Sequence, residues 1–278
     1  LPIYDTLYTL NKGRFEVGKI GENDLLQSEL ALLRARAAVD QAKLDFDRTL
    51  SALRIAVNIA PSAPLDVVVT PDVPEFQVDT LLAVRQALRN QSQVRLNEFN
   101  DVDANRRVAE AKLSGGPGAS VTASYGVNQT AGVLSQAYQN PLESQAFALS
   151  VSTPVYLFGA HSADVQAAQA AREAVQSNNK LSVANIEQGA RFAALGFEQA
   201  QRGLSISAKA DTVGSKRYEV AYNRYVIGKI NYADLYIAQQ EKDAALQAFV
   251  AALQQYWLSY YQLRLQTLYD FEKGEPIR

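Results

Sequence analysis

The stretch R-F-E-V-G-K-I-G-E-N-D-L, from Arg14 to Leu25, returns near the other end of the chain as R-Y-V-I-G-K-I-N-Y-A-D-L, from Arg224 to Leu235. Aligned without gaps at a constant offset of 210 positions, the two copies share Arg, Gly, Lys, Ile, Asp and Leu, and Phe15 aligns with Tyr225. Each copy leads into a long stretch with apolar residues at helical spacing, and each glycine permits a tight reversal of the chain. The repeat therefore predicts two equivalent turns, each joining two long helices.

Helices on either side of these turns are predicted from apolar residues that recur in steps of three and four. The stripe after the first turn comprises Val39, Ala42, Phe46, Leu50, Leu53 and Val57, and the stripe after the second comprises Leu246, Phe249, Leu253, Tyr256, Tyr260 and Leu263. Helical spacing also runs from Asp79 toward Lys112 and from Ala160 to about Tyr222. The latter stretch would extend on the order of 90 Å at 1.5 Å per residue. Ordinary globular domains do not need a helix of that length.

Two short segments between the helices change to a period of two. In S-V-T-A-S-Y-G-V-N at 120–128, and in F-A-L-S-V-S-T at 147–153, apolar residues alternate with small or polar ones. We expect two strands, each with an apolar and a polar face, joined by a polar loop over 129–144. Because two strands alone are not stable, other chains or a further part of the protein should cover their edges.

Composition excludes several classes of function. A net charge of −2 with scattered Lys and Arg gives no reason to expect a nucleic-acid partner. No run approaches the roughly 18 to 20 apolar residues of a membrane-spanning helix. The chain has no cysteine, and its single histidine, His161, lacks a matching nucleophile and carboxylate, so a capping or surface role is expected. Without a phosphate-binding loop or metal-ligand spacing, we expect no enzyme activity, no metal and no cofactor.

The repeated turns, the alternating strands and the following T-P-V-Y-L-F-G together resemble the TolC family of outer-membrane efflux and secretion channels. The resemblance covers essentially the whole chain but begins inside the first half of the family's duplicated protomer. Since the chain also opens on Leu-Pro-Ile, we expect an N-terminally incomplete protomer. The implied fold class is mainly α with a small β part. Long helical hairpins and coiled coils would form a periplasmic tunnel, and the two strands would contribute to a trimeric twelve-stranded outer-membrane β-barrel.

This resemblance divides the chain into six segments. They are the tip turn and outgoing helix of the first repeat (1–59), a linker or equatorial segment (60–78), the incoming helix of the second repeat (79–113), two barrel strands with an extracellular loop (114–159), a long helical hairpin with a periplasmic tip turn near 227–234 (160–267), and a C-terminal tail (268–278). The implied location is the outer membrane of a Gram-negative type of envelope, with the tunnel extending into the periplasm.

The resemblance also implies roles for individual residues. Asp24 and Asp234 match the acidic residues that ring the periplasmic entrance, where carboxylates from three copies would attract cations and repel one another. A cap at the start of a helix is the open alternative for both. The tips expected to meet a periplasmic adaptor are Val17, Gly18, Lys19, Ile227, Gly228 and Lys229. The residues expected to face lipid are Val121, Ala123, Tyr125, Val127, Phe147, Leu149 and Val151.

Some family members have an ion-pair latch at these turns, but such a latch is not expected in this chain. Ile237 stands where those members have a second aspartate, and Ile230 stands where they have a basic residue. Lys19 and Lys229, beside the turn glycines, are the candidate partners instead.

The implied function is that of a passive exit duct in a tripartite efflux pump that exports small toxic compounds. The implied partners are two further copies in a homotrimer, a periplasmic adaptor (membrane fusion) protein, an inner-membrane transporter of the RND or ABC type, and outer-membrane lipid. One alternative is a type I protein-secretion duct, which the residues do not separate from an efflux duct. The other is a periplasmic coiled-coil adaptor without a pore, which leaves the alternating strands unexplained.

Overall fold

The computed structural model describes residues 1–60, 65–68, 73–130, 132–133, 142–155 and 158–277. Its helices are α1 (Pro2–Glu16), α2 (Glu22–Ala56), α3 (Thr80–Asn90), α4 (Ser92–Leu113), α5 (Ala160–Val226) and α6 (Tyr232–Thr267), and its strands are β1 (Gly118–Asn128), β2 (Leu142–Ser152), β3 (Tyr269–Asp270) and β4 (Glu275–Pro276). The predicted fold class, mainly α with a small β part, is confirmed. Parts of the expected linker at 60–78, of the loop at 129–144 and of T-P-V-Y-L-F-G lie outside the described residues.

The chain forms two compact units. The first comprises Leu1–Glu75 and Gln199–Trp257, and the second comprises Phe76–Glu198 and Leu258–Arg278. Helices α5 and α6 each contribute a part to both units. Both copies of the repeated turn lie in the first unit, and the strands lie in the second.

In the first unit, each copy of the repeat forms a helical hairpin. Hairpin 1 consists of α1 and α2, and hairpin 2 consists of residues 199–257 of α5 and α6 with the turn between them. Leu7 of α1 packs into one apolar cluster with Tyr225, Tyr232 and Leu235 of hairpin 2, and none of the four is more than 2% exposed. Full burial of side chains of this size contributes about 1.5–3 kcal/mol each. The cluster therefore holds the two hairpins together.

The apolar stripes predicted on α2 and α6 are only partly buried. Phe46 remains 59% exposed on α2, whose buried residues are Ser28, Ala31 and Leu32. On α6 the stripe is buried from Leu253 onward, whereas Leu246 remains 47% exposed. Helical spacing identifies residues that share a face, but it does not determine what covers that face.

The prediction of one continuous helix over 79–113 is wrong at one point, because the helix is interrupted at Gln91. This residue has extended backbone angles, with φ −69° and ψ 130°. Its side-chain amide donates to the carbonyl of Gln266 at 2.6 Å, and the amide of Asn90 donates to the carbonyl of Thr267 at 3.0 Å. The last carbonyls of a helix lack partners within it, so the interruption supplies two donors to the end of α6.

Aromatic side chains form much of the packing in the second unit. The rings of Phe76 and Phe197 stack with centroids 4.8 Å apart, and Tyr260 meets Phe76 edge-on at 6.1 Å. The segment expected as a C-terminal tail contains the β3–β4 pair, and Arg264 forms an ion pair with Asp270 at 3.2 Å. The end of the chain is thereby joined to α6.

Strands β1 and β2 pair antiparallel along their whole length, from Gly118 opposite Ser152 to Asn128 opposite Leu142. Every residue of both strands is exposed. β2 begins at Leu142, so the predicted loop boundary at 144 is wrong by three residues. The two-stranded ribbon presents both of its faces openly.

Candidate functional site

The two turns end their helices in the same way. Gly18 has φ 69° and Gly228 has φ 74°, in the left-handed region that favours glycine. In each turn two backbone N–H groups donate back to carbonyls of the preceding helix. These bonds run from Gly18 to Phe15 and from Lys19 to Arg14 at 2.8 Å each, and from Gly228 to Tyr225 at 2.9 Å and Lys229 to Arg224 at 2.8 Å. Both turns are therefore Schellman motifs, and the sequence repeat is also a structural repeat.

The tips of both turns are open to solvent. Val17 is 67% exposed and Ile227 is 65% exposed, and Lys19 and Lys229 are exposed beside them. In the part of the chain that the structure describes, neither lysine forms an ion pair with Asp24 or Asp234. An apolar residue, a glycine and a lysine thus form each tip, and contact with an adaptor stays a prediction.

Asp24 and Asp234 occupy equivalent positions but different surroundings. Each lies in the first turn of its helix, and neither is the N-cap residue. Gly21 is the N-cap of α2, whereas the side chain of Asn231 accepts the backbone N–H of Asp234 at 2.8 Å and so caps α6. Asp24 is half-buried and Asp234 is exposed. A carboxylate in a first turn is favoured by the helix dipole, whatever further role it has.

Arg14 joins the two hairpins, a role that the sequence analysis missed. Its Nη2 donates to the carbonyls of Tyr225 at 3.0 Å and Val226 at 2.7 Å, the last residues of α5. Its guanidinium carbon also lies 4.3 Å from the centroid of the Tyr225 ring. A cation is stabilised both by the negative end of a helix and by an aromatic face. Both residues belong to the repeated stretches, Arg14 to the first copy and Tyr225 to the second, so the repeat could have drawn attention to them.

Asn11 adds a second contact to this junction. The hydroxyl of Tyr225 donates to Oδ1 of Asn11, whose side chain is fully buried. Nearby, the hydroxyl of Tyr4 donates to Asp243 at 2.6 Å. Polar bonds thus surround the apolar cluster and fix how hairpin 1 lies on hairpin 2.

The buried tyrosines at this junction predict that the first unit is sensitive to alkaline pH. Burial raises the pKa of Tyr218 to about 12, and burial with nearby Tyr225 also raises the pKa of Tyr232. Because an unfolded tyrosine has a pKa of about 10, the folded state binds protons more tightly. The contribution to stability is complete below pH ~10 and is lost as pH rises through the folded pKa values.

We therefore expect the urea midpoint of unfolding to fall between pH 9 and pH 12. Tyr232→Phe, which removes one of these protons, should reduce that pH-dependent fall. Tyr125→Phe in the exposed β1 strand is the matched control and should leave the profile unchanged. A midpoint that did not change with pH would contradict the assignment.

The strand register brings the two alternating patterns onto one face. Val121 lies opposite Leu149, and Ala123 lies opposite Phe147. The seven residues expected to face lipid therefore share one side of the ribbon, where the six large ones are 61–74% exposed. A slip of one residue would have placed the apolar sets of the two strands on opposite faces. Contact of this face with lipid stays a prediction.

His161 does not have the capping or surface role that was expected. Its ring is half-buried and lies against Gly115, where an added Cβ would come within 2.4 Å of the imidazole. Within the described ranges, no group of three or more His, Asp or Glu side chains is placed to hold a metal. None of the helices in those ranges combines the length and hydropathy needed to cross a bilayer.

Comparison with known proteins gives matches in structure. No protein-family model matches the chain, and no curated protein matches it by sequence. The Campylobacter jejuni CmeC outer membrane channel matches 99% of this chain and 58% of its own, with 18% identity and a TM-score of 0.75. The Vibrio cholerae outer membrane protein VceC matches 100% of this chain and 64% of its own, with 13% identity and a TM-score of 0.75. The Neisseria gonorrhoeae MtrE outer membrane channel matches 96% of this chain and 61% of its own, with 16% identity and a TM-score of 0.72.

These matches concern the fold, because sequence identity is low in every case. The chain spans about three fifths of the length of the solved structures that it matches. Along nearly its whole length, the chain has the fold of these outer-membrane channel proteins, and its resemblance to the TolC family is confirmed at the level of the fold.

Proposed function

We propose that this chain is part of the protomer of a passive, non-enzymatic outer-membrane channel, which serves as the exit duct of a tripartite efflux pump. The observation that carries the proposal is the shared fold with outer-membrane channels over 96–100% of the chain. The proposal extends to the location, the outer membrane with a tunnel reaching into the periplasm. Single-channel recording of the complete protomer in a planar lipid bilayer tests it, and discrete current steps are the expected result.

The β1–β2 ribbon supports a membrane role independently of the comparisons. One face carries the seven residues expected to face lipid, with Gln145 and Glu143 at its loop end, and the other carries mostly small and polar residues. In the part of the chain that the structure describes, no further strand pairs with the outer edges of the ribbon. In a bilayer every backbone N–H and carbonyl must find a partner, and closure with the strands of other copies achieves this. We therefore propose that the ribbon contributes two strands to the barrel of a homotrimer. A periplasmic adaptor without a pore would have no use for such a ribbon.

The proposed entrance lies at the two turns. Asp24 and Asp234 would place two carboxylates from each copy around the channel axis, where they attract cations and repel one another. The exposed tips beside them would meet the adaptor protein, through which an inner-membrane transporter of the RND or ABC type acts. The inner-membrane transporter then determines whether small toxic compounds or polypeptides leave through the duct.

Replacing both aspartates tests this entrance. Asp24→Ala combined with Asp234→Ala should increase single-channel conductance, because these carboxylates no longer hold cations in the entrance, and it should lower the preference for cations over anions. Asp40→Ala is the control, since Asp40 is an exposed carboxylate in α2 away from the turn. Conductance and ion preference equal to those of the unchanged protein would remove both aspartates from the entrance.

A further inference from the structure

The first copy of the repeat forms a contact, through its arginine, that the second copy does not form within the described residues. Arg14 of hairpin 1 is bound to the end of α5, as described above. The equivalent residue of hairpin 2 is Arg224, which is exposed and forms no side-chain hydrogen bond or ion pair in the described part of the chain. Arg224 lines an open cavity of about 390 Å³ on hairpin 2. The arginine of the first copy thus binds a helix end, whereas the arginine of the second copy lines an open cavity.

The cavity lining corresponds to the surface of hairpin 1 that meets Tyr225. Val220, Ala221 and Asp234 line it together with Arg224. At the offset of 210, their equivalents are Leu10, Asn11, Asp24 and Arg14. Leu10 packs against the junction cluster, Asn11 and Arg14 bind Tyr225, and the charge of Asp24 acts on that tyrosine. The cavity is therefore a second copy of a known contact surface.

The group that would fill this cavity is found on hairpin 1. The equivalent of Tyr225 is Phe15, and that of Val226 is Glu16, so the matching feature is the end of α1. Phe15 is 39% exposed, and within the described residues no side chain donates to the carbonyl of Phe15 or Glu16. A single chain cannot bring its α1 to both places, because α1 already lies on hairpin 2 of its own chain.

The charges of the repeat agree with an approach by a second copy. Leu7 and Tyr232 pack in one apolar cluster, and their equivalents at the offset of 210 are Arg217 and Glu22. An apolar pair inside the chain thus corresponds to a pair of opposite charges at the open surface. Arg217 also pairs with Glu241 of its own hairpin, so Glu22 would join an existing ion pair.

We propose that the cavity around Arg224 binds the end of α1 from a second copy of this chain. Arg224 donates to the carbonyls of Phe15 and Glu16 of that copy, and its guanidinium lies on the Phe15 ring. Each copy offers one such cavity and one such helix end, so the contact is head-to-tail and closes into a ring when the rotation between copies permits. The number of copies in the ring, three, rests on the proposed function.

Cross-linking tests the pairing directly, because the chain contains no cysteine. Tyr225 and Asn11 contact each other within the chain, and their equivalents at the offset of 210 are Phe15 and Ala221. The two variants are therefore Phe15→Cys and Ala221→Cys. In the complete protomer extracted in mild detergent, each single variant treated with a short bis-maleimide should stay a single chain. An equimolar mixture that has assembled together should give two-chain products, and the double variant should give products of up to three chains. Cross-linked chains from either single variant alone would overturn the pairing. The absence of cross-linked chains from both the mixture and the double variant would overturn it as well.

Arg224 itself provides a second measurement. Arg224→Ala in the double-cysteine background should strongly reduce the cross-linked products, and Lys209→Ala, an exposed cation elsewhere on α5, should leave them unchanged. Equal yields from the two variants would overturn the role of Arg224. The two proposals fail separately. Channel currents without cross-links would refute this inference alone, and cross-links without currents would refute the proposed function alone.

Discussion

Leu149→Arg is expected to prevent assembly of the protein in the outer membrane. Leu149 lies in the C-terminal half of β2, opposite Val121, on the apolar face of the ribbon. A basic side chain on the lipid face of a membrane strand costs about 2–4 kcal/mol near the middle of the bilayer, and the cost recurs in each copy of an oligomer. The amount of folded protein in purified outer membranes, compared with the unchanged protein, measures the effect.

Ser150→Arg is the matched control for this prediction. Ser150 is the next residue of β2, lies opposite Ser120, and belongs to the polar face. The same charge at almost the same depth should be tolerated there, because the side chain would point into water. If Ser150→Arg prevented assembly and Leu149→Arg did not, the two faces would be reversed. Equal tolerance of both would place the ribbon outside the bilayer.

Tyr225→Ala is expected to have the largest effect on the junction of the two hairpins. Tyr225 is 1% exposed, and truncation of a buried aromatic side chain typically costs about 3–5 kcal/mol. The substitution also removes the ring beneath Arg14 and leaves the buried amide of Asn11 without its hydroxyl partner, which adds to the cost. Hydrogen exchange of the α1 backbone should therefore accelerate strongly, since α1 is held on hairpin 2 by this cluster.

Two related variants separate the causes. Tyr225→Phe keeps the ring and removes the hydroxyl, and should cost only about 1–3 kcal/mol. Phe15→Ala changes the equivalent residue of the other hairpin, which is 39% exposed, and should hardly alter exchange in α1 of an isolated chain. Similar acceleration by Phe15→Ala and Tyr225→Ala would show that the two hairpins do not differ as the structure indicates.

The turns were predictable because their conformation depends on neighbouring residues. Gly18 and Gly228 adopt positive φ angles, and each turn is closed by N–H groups that donate to carbonyls three and five residues earlier. All of those groups belong to the repeated stretch, so equal sequences produce equal turns. The alternation within β1 and β2 was predictable for a similar reason, since a strand points successive side chains to opposite faces.

Other features depend on residues far apart in the chain, and here the predictions were incomplete or wrong. The break at Gln91 satisfies carbonyls at the end of α6, more than 170 positions away. The packing of His161, near the start of α5, against Gly115 likewise joins residues that both strands separate along the chain. No local pattern around Gln91 or His161 indicates either partner.

The two equivalent turns, most of the helices and the alternation along each strand could be predicted from local patterns, because short-range sterics and hydrogen bonds set these features. The strand register, the break at Gln91 in the helix predicted over 79–113 and the different surroundings of the two repeats depend on packing between distant parts of the chain. Arg14 donates to carbonyls at the end of α5 in its own chain, whereas Arg224 forms no such bond within the described residues. Two copies with the same local conformation therefore differ, because packing buries the contact surface of one copy and leaves that of the other open.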